Sequence, residues 1–90
     1  MARKLKVYGW GGFRKCGQTR EICAAHSVAE LLRIITDTIG PRARPGRDYL
    51  CETGNAKELD TALAEPGTIF WRPLDERGAN YNRHDPKKEG

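Results

Sequence analysis

Residues 20–38, REICAAHSVAELLRIITDT, place a short apolar segment directly before an amphipathic one. The first part, REICAAH, is typical of a strand because it is short and has an apolar centre that includes the β-branched Ile22. Ser27 followed by Glu30 matches the capping box that begins a helix, and the apolar residues after it recur at helical spacing. The segment therefore predicts a strand followed by a helix over residues 27–38, which Gly40 and Pro41 end.

The same pattern returns 28 residues further along the chain. The segment DYLCET, residues 48–53, predicts a strand, and Asn55 followed by Glu58 predicts the start of a second helix over residues 55–65. Internal duplication would explain this agreement, and so would the common requirements of any strand–helix unit. Under either explanation the chain contains two strand–helix units in series.

Segments on both sides complete the order of elements. From Lys4 to Trp10 polar and apolar residues alternate, as they do in a strand with one buried face. Residues 11–19 are rich in glycine and polar groups and predict an irregular loop between this strand and the next. TIFWRPL, residues 68–74, predicts a final strand. The predicted order is ββαβαβ.

This order predicts an α/β (α+β) fold, a two-layer sandwich with a four-stranded mixed sheet and two helices on one face. Right-handed strand–helix–strand crossovers would place both helices over a parallel set formed by the last three strands, with the first strand added antiparallel. The other face of the sheet would stay open. Residues 1–74 would form a single globular domain, and the polar residues 75–90 a flexible charged tail.

Composition narrows the class of protein. The chain has 90 residues, 31% of them charged, and a net charge of +4, which favours polyanionic partners only weakly because acidic residues are scattered among the basic ones. It contains no apolar run that would span a membrane and no secretory signal, so we expect a cytoplasmic protein. The three cysteines, an odd number, favour reduced thiols over a disulfide framework.

The segment GWGGF, Gly9 to Phe13, allows two interpretations. In the first, Trp10 packs against Phe70 or Trp71 and the glycines form a turn. In the second, alternation places cations and aromatic rings on the open face, as in surfaces that bind single-stranded nucleic acid or a protein. The predicted partner-binding residues of the second interpretation are Lys6, Tyr8, Trp10, Phe13, Arg14, Lys15 and Arg72.

Chemistry-bearing motifs are few. The glycine clusters match no nucleotide-binding fingerprint, and the spacing of Cys16, Cys23 and Cys51 with the two histidines matches no zinc site. Glu30 and Glu58 are accounted for by helix capping, which leaves no carboxylate pair for acid–base catalysis. We therefore predict a protein that is not an enzyme, with no catalytic residues, no bound metal and no cofactor.

A resemblance to a known group of proteins extends over most of residues 4–74 and is carried by the segments KVYGW-G-F-R, QTREI-AA, ETGN-x-x-E-L and A-L-AEPGT-x-FWRPL. In these segments the chain resembles small uncharacterised proteins encoded by phages of actinobacteria. The resemblance implies an accessory protein made in the host cytoplasm during infection, which acts by binding. Two functions stay open: binding of a host or phage protein through the open sheet face or an unpaired sheet edge, and binding of nucleic acid through the same face.

Overall fold

The structure is a computed structural model that describes residues 4–43, 45–46, 49–76 and 80–84. The described residues form five strands, two α-helices and a short 3-10 helix. In chain order they are β1 (Lys6–Arg14), β2 (Gly17–Ala25), α1 (Val28–Thr38), the 3-10 helix (Pro41–Ala43), β3 (Cys51–Glu52), α2 (Ala56–Ala64), β4 (Phe70–Pro73) and β5 (Asn82–Arg83). The α+β class predicted from the sequence is confirmed.

The strands form one sheet in the order β3-β1-β2-β4-β5, and every neighbouring pair is antiparallel. The prediction of a four-stranded mixed sheet with three parallel strands is therefore wrong. β3 does not pair beside β2 but on the outer edge of β1, at Tyr8 and Gly9. The first hairpin thus forms the centre of the sheet, and the later strands are added on both sides of it.

β1 and β2 form a long hairpin. Their register extends from Lys6 opposite Ala25 to Arg14 opposite Gly17, and only the two residues between Arg14 and Gly17 form the turn. The irregular loop predicted over residues 11–19 is therefore absent, because the glycines of GWGGF lie within β1 and not at its end.

Two of these glycines make room for long side chains of β2. A Cβ atom at Gly9 would lie 2.5 Å from Cζ of Arg20, and one at Gly12 would lie 2.7 Å from Oε2 of Glu21. Both distances are shorter than real contacts of a Cβ atom, so an alanine at either position would displace a charged group. β1 needs glycine here because the Arg20 and Glu21 side chains lie across its backbone, on opposite faces of the sheet.

Both helices begin where the sequence predicts. The Ser27 side chain accepts a hydrogen bond from the backbone N–H of Glu30 at 3.1 Å, and the Asn55 side chain accepts one from Glu58 at the same distance. The predicted helices over 27–38 and 55–65 are confirmed to within a residue at each end. No helix in the described ranges has both the length and the apolar character needed to cross a bilayer.

The two helices lie on opposite faces of the sheet, so the predicted two-layer arrangement is wrong. Leu31 and Ile35 of α1 pack in one apolar cluster with Tyr8, Trp10 and other residues of the sheet. Ala62 of α2 packs in a second cluster, with Val7, Ile22, Ala24 and Phe70.

The route of the chain explains this arrangement. α1 connects β2 to β3 across one face of the hairpin, and α2 connects β3 to β4 across the other. The sequence carries a signal for it: Ile22–Ala25 is a continuous apolar run, which is typical of a strand buried on both faces. The two helices also do not bury equivalent positions. Ile35 and Leu63 correspond at the spacing of 28 residues, but Ile35 is buried and Leu63 is exposed.

Part of the predicted tail belongs to the sheet. β5 pairs with β4, and the backbone N–H of His84 donates to the carbonyl oxygen of Ile69 at 2.9 Å. The predicted domain boundary after residue 74 is therefore wrong for residues 80–84, where Tyr81 and His84 supply the side chains that pack. Residues 77–79 and 85–90 of the predicted tail lie outside the described residues.

The glycines of β1 give a first prediction with an internal control. We expect Gly9→Ala and Gly12→Ala each to lower the free energy of unfolding by about 1–3 kcal/mol, because the new methyl group displaces a paired charged side chain. A Cβ atom at Gly11 would contact nothing within 4 Å, so Gly11→Ala should be neutral or stabilise the fold slightly. Urea unfolding of the three variants provides the measurement, and equal destabilisation by all three would contradict the assignment.

Candidate functional site at the end of the hairpin

The basic-aromatic face predicted along β1 does not form. Tyr8 and Trp10 are only 7% and 3% exposed, and both pack in the apolar cluster under α1. The interpretation of Trp10 as a packing residue is correct, although its cluster contains Ile69 and not Phe70, which lies on the other face. Tyr8 and Trp10 are buried because α1 covers the face that was expected to stay open.

The other predicted binding residues are divided between separate parts of the surface. The exposed Lys6 lies 3.6 Å from a carboxylate oxygen of Glu52, far along β1 from the turn. Arg14 directs its side chain towards the face covered by α1, where it is nearly buried. Phe13 and Arg72 belong to the face covered by α2, and Lys15 is exposed in the turn. The structure therefore brings Phe13, Lys15 and Arg72 to one end of the hairpin and separates Lys6 from them.

An apolar patch is exposed at this end, on the face covered elsewhere by α2. Phe13 is 78% exposed and lies opposite Gln18 of β2. The backbone N–H of Leu74 donates to Gln18 at 2.9 Å, which places the half-exposed Leu74 in the same row across the sheet. In the next row is Gly11, with open space where a side chain would be. We call Gly11, Phe13, Gln18 and Leu74 the hairpin-end patch.

The outer edge of β1 borders the same patch. β3 pairs with β1 only at Tyr8 and Gly9, so among the described residues no strand is paired with the part of this edge from Trp10 to Arg14. The backbone N–H of Thr53 donates to the carbonyl oxygen of Val7 at 2.8 Å, so the odd-numbered residues of β1 direct their backbone groups outward. Gly11 and Phe13 consequently present hydrogen-bonding groups to an incoming strand.

A charged cluster on the α1 face holds the hairpin end in place. Nε and Nη2 of Arg14 donate to the two carboxylate oxygens of Glu21 at 2.8 and 3.0 Å, and Thr19 donates to Glu21 at 2.7 Å. The Arg14 guanidinium lies 4.8 Å from the ring centroid of Trp71, and its Nη1 lies 3.0 Å from Nδ1 of His84. These contacts join β1, β2, β4 and the residue after β5, so the patch on the opposite face has a rigid base.

A second cluster, centred on Glu58 of α2, lies on the same face as the patch. Nε and Nη2 of Arg20 donate to the Glu58 carboxylate at 3.0 and 3.1 Å, and the Thr53 hydroxyl donates to it at 2.6 Å. The Tyr81 hydroxyl also donates to Glu58 and accepts a hydrogen bond from Nε of Arg72 at 3.3 Å. Arg72, a predicted binding residue, is therefore engaged within the protein.

The Glu58 carboxyl is more than a helix cap. Its burial would raise its pKa, but the hydrogen bonds from Arg20, Thr53 and Tyr81 outweigh this effect and lower the pKa from 4.5 to about 2. Burial, followed by the hydrogen bond to Glu58, raises the pKa of the Tyr81 hydroxyl. Around pH 7 the Glu58 carboxyl is therefore ionised and the Tyr81 hydroxyl is uncharged.

The cysteines are far from forming one site. Cys23 is buried on β2, whereas Cys16 is exposed in the turn and Cys51 is exposed on β3, which adjoins β1 and not β2. The predicted parallel set would have placed the strands of Cys23 and Cys51 side by side, and this arrangement is wrong. Within the ranges that the structure describes, no three His, Cys, Asp or Glu residues are grouped so as to hold a metal ion.

Sequence reasoning missed the two carboxylates that organise the clusters. Glu58 stands at the third position of a helix, where a capping role explained it, and its burial depends on Arg20, 38 residues away. Glu21 does carry a signal, because a carboxylate beside the apolar run of β2 needs a partner of opposite charge. Tyr81 is the only aromatic residue after Trp71, which marks it as a residue with apolar surface to bury.

No protein-family model, curated protein or solved structure matches the chain.

The Glu58 cluster predicts a specific dependence of stability on pH. Because the pKa of Glu58 is lowered from 4.5 to about 2 in the folded protein, its contribution is complete above about pH 5 and is lost as the pH falls towards 2. We expect Glu58→Gln to lower the free energy of unfolding at pH 7 by about 1.5–3 kcal/mol and to flatten the fall in stability between pH 5 and pH 2. Urea unfolding across this range provides the measurement.

Glu30→Gln is the matched control. Glu30 has the same position in its helix, and a hydrogen bond with His26 lowers the pKa of its carboxyl, but its side chain is about 40% exposed. The two variants should differ clearly in stability at neutral pH, and indistinguishable unfolding curves would contradict the role of Glu58.

The thiols should react in two classes. Burial, together with the charge of Glu30, raises the pKa of Cys23 to about 12, so its thiolate is scarce at pH 8. We expect Cys16 and Cys51 to react with a disulfide reagent within minutes in the native protein, and Cys23 only after unfolding. Mass spectrometry of the labelled peptides gives the site occupancy, and early labelling of Cys23 would contradict its burial.

Proposed function

We propose that this chain is a non-enzymatic accessory protein, encoded by a phage, that binds a protein partner through the end of its first hairpin. The observation that supports this proposal is the exposure of Phe13, at 78%, in a strand whose turn end is held by the buried Arg14–Glu21 ion pair. An exposed aromatic side chain on a rigid backbone loses little conformational entropy on binding, which is characteristic of anchor residues in protein interfaces.

The surroundings of Phe13 fit a protein interface. Leu74 extends the apolar surface across β2, Gly11 leaves open space beside it, and the polar Gln18 lies between. Lys15 and Arg72 border the patch with positive charge. An apolar centre with a polar border, next to unpaired strand edge, is the arrangement by which proteins capture a segment of another protein.

The buried charged groups support a binding role over catalysis. The carboxylates of Glu21 and Glu58 each accept hydrogen bonds from an arginine and from at least one hydroxyl group. Among the described residues, every buried side-chain nitrogen and oxygen has a hydrogen-bond partner. A carboxylate saturated by fixed donors is a poor general base, because protonating it would sacrifice those bonds.

The engagement of the arginines favours a protein partner over nucleic acid. Arg14 and Arg20 form close ion pairs with Glu21 and Glu58, and Arg72 donates to Tyr81 and to the carbonyl oxygen of Pro73. A cation already paired within the protein contributes less to counterion release from a phosphate backbone.

The test compares two exposed aromatic residues. Phe13 and Tyr49 are 78% and 75% exposed, and Tyr49 lies outside the hairpin-end patch. Tagged wild-type protein, Phe13→Ser and Tyr49→Ser are each incubated with lysate of the cells that produce the chain, with and without nuclease treatment, and retained proteins are quantified by mass spectrometry. We expect a partner retained by wild type and Tyr49→Ser, and reduced at least about tenfold by Phe13→Ser.

Both variants should melt like the wild type, because surface substitutions usually change stability by less than about 0.5 kcal/mol. Equal retention by Phe13→Ser and wild type would refute the proposed surface. Retention that disappears with nuclease, together with a steep fall in affinity for single-stranded DNA as salt rises, would establish nucleic-acid binding in its place.

A further inference from the structure

The hairpin-end patch has the geometry to bind its own copy. We infer that two copies of this chain associate through the outer edges of β1, as antiparallel neighbours in one continuous sheet. The inference depends on the proposed function, since it names a second copy of the chain as the protein bound at this surface.

The available length of edge limits how two copies can pair. β3 occupies the outer edge of β1 at Tyr8 and Gly9, and β1 ends at Arg14. Within the part of the chain that the structure describes, the edge without a paired strand therefore extends from Trp10 to Arg14. Only a register centred on Gly12 uses all of these residues in both copies. In that register the incoming β1 ends at Arg14, opposite Trp10, and lies end to end with β3 of the other copy.

The same register satisfies the backbone groups. Odd-numbered residues of β1 direct their N–H and C=O groups outward, as the bond from Thr53 to Val7 shows. Centring on Gly12 places Gly11 of each copy opposite Phe13 of the other, so outward-directed groups meet outward-directed groups. If the register shifted by one residue, the outward-directed backbone groups of one copy would face inward-directed groups of the other, and the hydrogen bonds between the copies would not form.

The side chains are self-complementary in this arrangement. Residues directly opposite one another in a sheet share a face, so Phe13 of each copy lies beside Gly11 of the other. Phe13 is 78% exposed, and the position of a Cβ atom at Gly11 is open space. Each phenyl ring therefore covers bare backbone of the second copy, which shields the new hydrogen bonds from water.

Charge and area set the strength of the association. Arg14 is the only charged residue in the segment 10–14. Its side chain is directed to the other face and paired with Glu21, so like charges of this segment do not meet in the interface. Two phenyl rings bury about 150–250 Å² each at most, which with a short strand edge stays below about 1,200 Å². An interface of this size gives a weak dimer that depends on concentration.

Sedimentation equilibrium of the purified chain, from about 1 μM to about 1 mM, measures the association directly. We expect a monomer–dimer equilibrium that strengthens as salt rises, because each copy carries a net charge of +4. Phe13→Gly should weaken the dimer at least about tenfold, whereas Tyr49→Ser should leave it unchanged.

The decisive variant exchanges the two paired residues. Gly11→Phe combined with Phe13→Gly again places a phenyl ring opposite a glycine in the register centred on Gly12, so we expect it to restore the dimer to within about threefold of wild type. A general loss of stability cannot produce this restoration, and thermal melting of each monomer confirms that the variants fold. Gly11 tolerates the change because its side-chain position is open.

Three results would overturn the inference: a monomer throughout the concentration range, a dimer indifferent to Phe13→Gly, or failure of the exchanged variant to restore association. A monomeric chain that still captures another protein in a Phe13-dependent way would refute the dimer and leave the proposed function standing. Capture that does not depend on Phe13 would refute the proposed function itself.

Discussion

The structure depends on the contact between bare backbone in β1 and charged side chains of β2. Gly9 leaves space for the Arg20 guanidinium on one face, and Gly12 leaves space for the Glu21 carboxylate on the other. Each charged group then meets its partner, Glu58 or Arg14, at hydrogen-bonding distance. A buried charge without such a partner would be costly, so the glycines of β1 and the pairing of the charges depend on each other.

This requirement connects the centre of the sheet to its periphery. The Glu58 cluster joins α2 and the residue before β5 to β2, and the Glu21 cluster joins β1 to β4 and His84. Apolar packing covers the half of the hairpin near β3, where α1 and α2 lie on either face. At the turn end of the hairpin the Arg14–Glu21 ion pair holds β1 to β2, and the Arg20–Glu58 pair joins β2 to α2. The backbone beneath the hairpin-end patch is therefore held in place by these contacts, and it stays ordered while the patch is exposed.

Local sequence patterns predict those features of the fold that depend on residues close together in the chain. Ser27 and Asn55 marked both helix starts because a cap forms between residues three positions apart. The apolar periodicity of α1 identified its buried face for the same reason. The choice of sheet edge for β3, and hence the face covered by α2, depends on contacts between distant residues such as Arg20 and Glu58, which no local pattern encodes. The sequence predicts the hairpin-end patch only in part: it marks Phe13 as a binding residue but gives no signal for Leu74.

The glycines of β1 also constrain how this sequence can change. The side chains of Arg20 and Glu21 occupy the volume that a Cβ atom at Gly9 or Gly12 would need, so a larger residue at either glycine displaces a charged group of β2. An alanine at position 9 avoids this displacement when a shorter residue stands at position 20, and Glu58 then loses its cation. Divergence at these positions would therefore proceed through linked substitutions, and a related sequence should show the glycine and the long charged residue gained or lost together.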